Sequence, residues 1–130
     1  MFELLIYMFE NYLSSKSYLD FNNISMELEA AGFDNDDIEE AFDWFSQLKS
    51  MSDKIPKAIN ANENTNLRIF TEKEYKKISS EGLGFILFLE QAKVLNSVER
   101  EIIVDRAMAL NQHIISIDEV RWVVMMALWN

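Results

Sequence analysis

The stretch AAGFDNDDIEEAFDWF, residues 30–45, contains a helix stop followed at once by a helix start. Gly32 stands where the end of a helix favours a residue that accepts a left-handed backbone. Asp34 is placed to cap a new helix with its side chain. Phe33 and Ile38 occupy the two positions of a hydrophobic staple around that cap. The stretch therefore predicts a helical hairpin whose turn is specified by its own residues.

The helix after this turn, predicted over 35–49, has two opposite faces. Its apolar residues recur at the spacing of an inward stripe: Ile38, Ala41, Phe42, Phe45 and Leu48. The acids opposite that stripe are Asp36, Glu39, Glu40 and Asp43. Acids in the first turn also complement the helix dipole, each by roughly 0.3–1 kcal/mol. The pattern predicts a solvated acidic face, whether or not a partner uses it.

A calcium loop is the alternative explanation for so many neighbouring acids. Asp34, Asp36 and Asp37 crowd together as EF-hand ligands do. That loop requires an oxygen ligand at its fifth position and glycine at its sixth, where this chain has Ile38 and Glu39. We therefore expect no metal site here.

Helical spacing continues through most of the chain, and strand alternation is nearly absent. Capping boxes are expected at Thr71–Glu74 and Ser116–Glu119, and Gly82 with Gly84 is expected to bracket a turn. The remaining helices are predicted over 2–14, 24–31, 72–79, 84–95 and 97–110, with a last one after Ser116. The helix over 97–110 is expected to turn Glu99, Arg100, Asp105 and Arg106 towards solvent. The sequence predicts an all-α fold, a small bundle of about six or seven helices in two packed lobes.

Charge and composition divide the chain into two parts. Residues 1–50 hold eleven acids against two lysines, a balance of −9, out of a net charge of −10 for the whole chain. The segment 51–66 contains Pro56 and is rich in asparagine and serine, which is typical of a connector. We predict an acidic N-terminal helical lobe over 1–50, a linker over 51–66 and a C-terminal helical lobe over 67–130.

The same composition limits the location and the kind of partner. The absence of cysteine suits a reducing cytoplasm. The apolar runs 83–89 and 122–129 are far shorter than the roughly 20 residues of a membrane helix, and the N-terminus lacks the basic region of a signal peptide. The acidic field repels phosphates, so we expect no direct nucleic-acid binding and favour a protein partner with a basic surface.

The last predicted helix offers a second candidate surface. Its candidate exposed apolar residues are Trp122, Met125, Met126 and Trp129. They either pack on the preceding helices or form an apolar edge that dimerises or accepts a partner helix. Both interpretations stay open, and the second of them includes a homo-oligomer.

Catalysis is not indicated by the residues present. His113 is predicted in a surface loop, and no serine elbow, glycine-rich phosphate loop or HExxH zinc motif accompanies it. We expect no enzyme, no catalytic residue and no cofactor. The alternative function is a helix-turn-helix formed by 97–110 and 117–129, although its second helix offers only Arg121 as a base-contacting cation. A further form of that alternative is an acidic DNA mimic that binds a DNA-binding protein.

Long blocks of the chain resemble the Smg family of bacterial proteins. These blocks are MFELLIYMFENY, LEAAGFDNDDIEEAFDWF, LRIFTEKE, GFILFLEQAKVLNSVERE and IDEVRWVVMMALWN. The resemblance implies a cytoplasmic bacterial protein and supplies no activity, substrate or catalytic residue. Members typically continue beyond the position of Asn130, so a shortened C-terminus is expected here.

The N-terminal hairpin also resembles a UBA-like three-helix module. The positions concerned are Leu28, Gly32–Phe33, Ile38 and Ala41–Phe42. Such modules bind proteins through the glycine–aromatic turn and the end of the last helix. The candidate partner contacts in this lobe are the turn and the acidic helix that follows it: Gly32, Phe33, Asp36, Glu39, Glu40, Asp43 and Trp44. Two packed helices with a glycine stop would give the same pattern.

Overall fold

The chain folds as a succession of helices, and the computed structural model describes residues 2–13, 21–53 and 69–129. Within these ranges it has seven α-helices, one π-helical turn and no strand. The elements are α1 (Phe2–Met8), the π-helix (Phe9–Leu13), α2 (Phe21–Ala30), α3 (Asn35–Asp53), α4 (Glu72–Lys77), α5 (Ser80–Gln91), α6 (Ser97–Met108) and α7 (Ile117–Trp129). The all-α prediction is confirmed.

The turn between α2 and α3 has the predicted helix stop. Gly32 adopts a φ of +102°, and its N–H donates to the carbonyl of Glu29 at 3.0 Å. The N–H of Phe33 reaches back to the carbonyl of Leu28 at 3.1 Å. Ile38 is fully buried, whereas Phe33 is partly buried and packs on the core. The predicted side-chain cap by Asp34 stays a prediction.

The first predicted helix is divided at Met8, where the α-helix gives way to the π-helix. Phe9, the first residue of the π-helix, is buried and meets two tryptophan rings of α7 nearly at right angles. The ring centroids lie 6.4 Å from Trp122 and 5.8 Å from Trp129. A π turn takes an extra residue, which hydrophobic periodicity over 2–14 does not register.

Helix α5 corrects the prediction of a turn at Gly82 and Gly84. The helix begins and ends four residues earlier than predicted, and both glycines lie inside it. Ser79 caps its start, because the Ser79 Oγ accepts from the Gly82 N–H at 3.0 Å. A Cβ at Gly82 would lie 2.9 Å from a methyl of buried Val120 on α7. Gly82 therefore serves the close approach of α5 to α7, whereas a Cβ at Gly84 would meet nothing within 4 Å.

This contact gives a matched pair of substitutions. Gly82→Ala is expected to lower the free energy of unfolding by about 1–2 kcal/mol, because the added methyl overlaps the stiff Val120 side chain. Gly84→Ala is expected to raise it by about 0.5–1 kcal/mol, because it relieves the entropic cost of a helical glycine without a clash. Urea unfolding followed by circular dichroism measures both. Equal effects of the two variants would contradict the assignment of Gly82 to helix packing.

The predicted capping boxes are both present. Each consists of a side chain that accepts from the N3 backbone and an N3 glutamate that accepts from the cap backbone: Thr71 with Glu74, and Ser116 with Glu119. A third box, which the sequence analysis did not anticipate, joins Asn96 to Glu99 at the start of α6. Local sequence thus fixes where α4, α6 and α7 begin.

The two halves of the chain share one hydrophobic core among the described residues. Buried side chains of α1 and α3, such as Leu5 and Ile38, belong to the same cluster as Ile103 of α6 and Val123 of α7. Helix α3 runs to Asp53, past the predicted start of the linker. The rest of the linker through residue 66, with Pro56, lies outside the described residues, and the domain boundaries stay a prediction.

Segments next to α5 and α7 are held side by side by two backbone bonds. The Ile115 N–H donates to the Lys77 carbonyl at 2.7 Å, and the Ser79 N–H donates to the Ile115 carbonyl at 2.8 Å. These bonds form an isolated parallel bridge between Ile78 and Ile115.

No helix in the described ranges combines the length and apolar character that a membrane crossing requires.

Candidate functional site

The acidic face of α3 consists of Asp36, Glu39, Glu40 and Asp43, all exposed as predicted. In the described part of the chain, none of the four forms an ion pair with a lysine or arginine. Two of them accept bonds from neutral amides, Glu40 from Asn111 and Asp43 from Gln47. No group of three or more His, Asp or Glu side chains converges as a metal site in the same ranges. The negative charge of this face is therefore left for solvent or a partner.

Behind this face, α3 packs on α6 through a pair of reciprocal hydrogen bonds. The indole Nε1–H of Trp44 donates to the Arg106 carbonyl at 3.0 Å, and Arg106 Nη1 donates to the Trp44 carbonyl at 3.2 Å. The guanidinium carbon lies 5.6 Å from the centroid of the indole. Both residues are buried, so this arrangement fixes the position of α3 against α6.

Arg106 was expected to face solvent, and this expectation is wrong. The residue is only 4% exposed. Its Nη2 donates to Gln47 Oε1 at 3.1 Å and to Asp105 Oδ2 at 2.8 Å, and its Nε also donates to Asp105. A buried charge requires such partners. Because the buried residues Ile102 and Ile103, four and three positions earlier, lie on the same side of α6, helical spacing carried a signal for its burial.

An open cleft of about 290 Å³ lies between α3 and the end of α6. Its lining comprises Glu40, Asp43, Trp44, Gln47, Arg106, Ala109 and Asn111. The α3 residues recur at helical spacing, while Asn111 follows α6 and reaches Glu40 at 3.3 Å. Sequence reasoning identified the two acids and Trp44 but missed Gln47, Arg106 and Asn111. Trp44 lines this cleft but is 3% exposed, so the structure corrects its assignment as an accessible contact residue.

The other predicted contact residues lie in two further places. Gly32 is exposed at the turn before α3, and Phe33 beside it packs against the Tyr7 ring at 5.4 Å. Trp122 is partly buried and Trp129 is 48% exposed, and both contact Phe9.

The residues predicted to form an apolar edge on α7 differ in their exposure to solvent. Met126 is 2% exposed, so of the two alternatives left open it packs on the core instead of forming an exposed edge. The exposed apolar side chains of this helix are Met125 and Trp129 from the predicted set, together with Leu128. Homo-oligomerisation through them stays a prediction.

The cations of α6 and α7 bear on the helix-turn-helix alternative. Arg100 binds Glu90 at 2.6 Å and Glu101 at 2.8 Å. Burial opposes its charge, but the bonds to these two carboxylates outweigh burial and raise the pKa of Arg100 above its ordinary value. Arg121 is within 3.7 Å of Asp118. Together with Arg106, each arginine of these helices faces a carboxylate, and His113 lies exposed in the loop between them.

A family model described as a protein of unknown function (DUF494) matches residues 1–130, the whole chain. The chain belongs to the DUF494 family. Its resemblance to the Smg family is likewise confirmed, since proteins named Smg homologues match over essentially the whole chain.

Three such relatives illustrate the match. The Smg homologue of Methylobacillus flagellatus is 50% identical over 130 residues, covering 100% of this chain and 85% of the relative. That of Aeromonas hydrophila is 40% identical over 133 residues, covering 100% and 85%. That of Nitrosomonas europaea is 40% identical over 129 residues, covering 99% and 84%. No solved structure matches this DUF494 chain.

Proposed function

We propose that this DUF494 protein is a non-catalytic protein-binding module whose acidic face accepts a basic segment of another protein. The single observation that carries the proposal is the set of four exposed carboxylates on α3 that lack a cationic partner in the described ranges. Unpaired charge of one sign steers a partner of opposite charge and contributes to its specificity.

The rigid setting of α3 supports this role. Trp44 and Arg106 hold the helix against α6 from behind, so the acidic face is presented without reorganisation of the backbone. Preorganised surfaces bind with a smaller entropic cost. Absence of cysteine agrees with a cytoplasmic setting, which forms part of the proposal.

Two alternatives have less support. Acid–base catalysis generally uses carboxylates in a desolvated cleft, whereas those of the acidic face are exposed. Direct nucleic-acid binding draws on cations that displace counterions, and the arginines of α6 and α7 face carboxylates. The DNA-mimic alternative uses the same acidic face, and its partner would be a basic DNA-binding protein.

Affinity chromatography separates protein binding from nucleic-acid binding. At about 0.1 M salt, where the Debye length is about 10 Å, we expect the protein to be retained on immobilised polylysine and to pass through heparin. Raising the salt should release it from polylysine, because exposed charges are screened. Retention on heparin with passage through polylysine would contradict the proposal.

A further inference from the structure

The cleft beside the acidic face provides a place for one side chain of the partner. Glu40 and Asp43, one helical turn apart, line it, whereas Asp36 and Glu39 do not. We propose that this cleft binds the guanidinium group of an arginine in the basic segment. The inference rests on the proposed function and specifies where that segment is anchored.

The hydrogen-bonding groups of the two carboxylates suit a donor with several N–H groups. Asp43 Oδ2 accepts from Gln47 at 2.8 Å, and Glu40 Oε2 accepts a long bond of 3.3 Å from Asn111. The other oxygen of each carboxylate has no donor within the described residues. A guanidinium carries five N–H groups in a planar fork and can serve two carboxylates at once.

Arg106 also lines the cleft, but its positive charge already has a carboxylate partner. Its side chain is 5% exposed and is bonded to Asp105 through two nitrogens. The carboxylate of Asp105 thus compensates the charge of Arg106. The unpaired charges of the cleft are those of Glu40 and Asp43, which favours a cation.

The volume indicates a side chain as the occupant. At about 290 Å³ the cleft is at the lower limit of the roughly 300–1,000 Å³ that small-molecule sites occupy. Trp44 and Ala109 supply apolar lining for the methylene stem of an arginine. A lysine ammonium is a compact, strongly hydrated charge and would make fewer simultaneous bonds.

Peptides of equal charge test this selectivity. One fluorescein-labelled decapeptide carries four arginines and the other four lysines, each separated by glycine or serine. By fluorescence anisotropy at about 0.1 M salt, we expect the wild-type protein to bind the arginine peptide about tenfold more tightly.

Two double variants locate the effect. Glu40→Gln with Asp43→Asn should reduce the arginine preference to about twofold or less, because a neutral cleft no longer pairs with the guanidinium. Asp36→Asn with Glu39→Gln removes the same charge from the same helix outside the cleft and should keep the preference. Circular dichroism spectra and thermal midpoints of both variants verify that each is folded.

Each outcome has a defined meaning. If wild type shows no arginine preference, or both double variants lose it equally, the acidic face binds without a dedicated cleft and this inference fails while the proposed function stands. If neither peptide binds the wild-type protein, both this inference and the proposed function fail. Loss of the arginine preference in the Glu40→Gln, Asp43→Asn variant alone supports both this inference and the proposed function.

Discussion

Replacing Arg106 by alanine is expected to lower the free energy of unfolding by about 3 kcal/mol. The substitution removes the hydrogen bonds that Arg106 donates to the Trp44 carbonyl and to the Gln47 amide oxygen. It also removes the guanidinium that packs over the Trp44 ring and opens space between α3 and α6. Loss of a charge partner for Asp105 adds little, because the Asp105 side chain is 51% exposed.

Arg121→Ala is the matched control on the neighbouring helix. Its side chain is 60% exposed and its nearest carboxylate oxygen, on Asp118, is 3.7 Å away. We expect a change within about 1 kcal/mol, as for other exposed ion pairs. Urea unfolding followed by far-ultraviolet circular dichroism gives both values. Similar effects of the two substitutions would mean that Arg106 does not join α3 to α6 as the structure indicates.

The parts of the fold that could be predicted are those specified within one helical turn. The left-handed conformation of Gly32 could be predicted from its position after α2, because a residue without a Cβ adopts this conformation at little cost. The boxes at Thr71 and Ser116 consist of residues three positions apart. The acidic face of α3 was predicted for the same reason, since residues three and four apart share a face.

The parts that could not be predicted depend on residues far apart in the chain. Gly82 was interpreted as a turn residue, whereas its actual constraint is Val120 on another helix. Arg106 was placed in solvent by its charge, although its partner Trp44 is 62 positions away. The cleft requires Asn111, which is 71 positions from Glu40. Periodicity assigns a residue to a face of its own helix but does not identify the neighbour on that face.

Reversing the acidic face to lysine is expected to reduce binding of a basic peptide at least about 100-fold, because the change replaces attraction by repulsion over the whole face. The substitutions are Asp36→Lys, Glu39→Lys, Glu40→Lys and Asp43→Lys. Folding should persist with a loss of about 1–2 kcal/mol, since lysine near the start of α3 opposes the helix dipole and two amide bonds are lost.

A control of equal charge separates this face from net charge. It reverses four acids that are exposed on other helices: Glu29, Glu72, Glu81 and Asp118. The control variant carries the same net charge as the reversed face, and both are verified by circular dichroism. Any difference in affinity between them therefore reports the location of the charge.

The most direct measurement is the dissociation constant of the labelled tetra-arginine peptide for these two variants and the wild type at about 0.1 M salt. We predict that the control binds the peptide within about fivefold of wild type, whereas the variant with the reversed acidic face loses at least about 100-fold in affinity. Equal loss in the two variants would show that binding follows net charge, and α3 would then not be the binding surface.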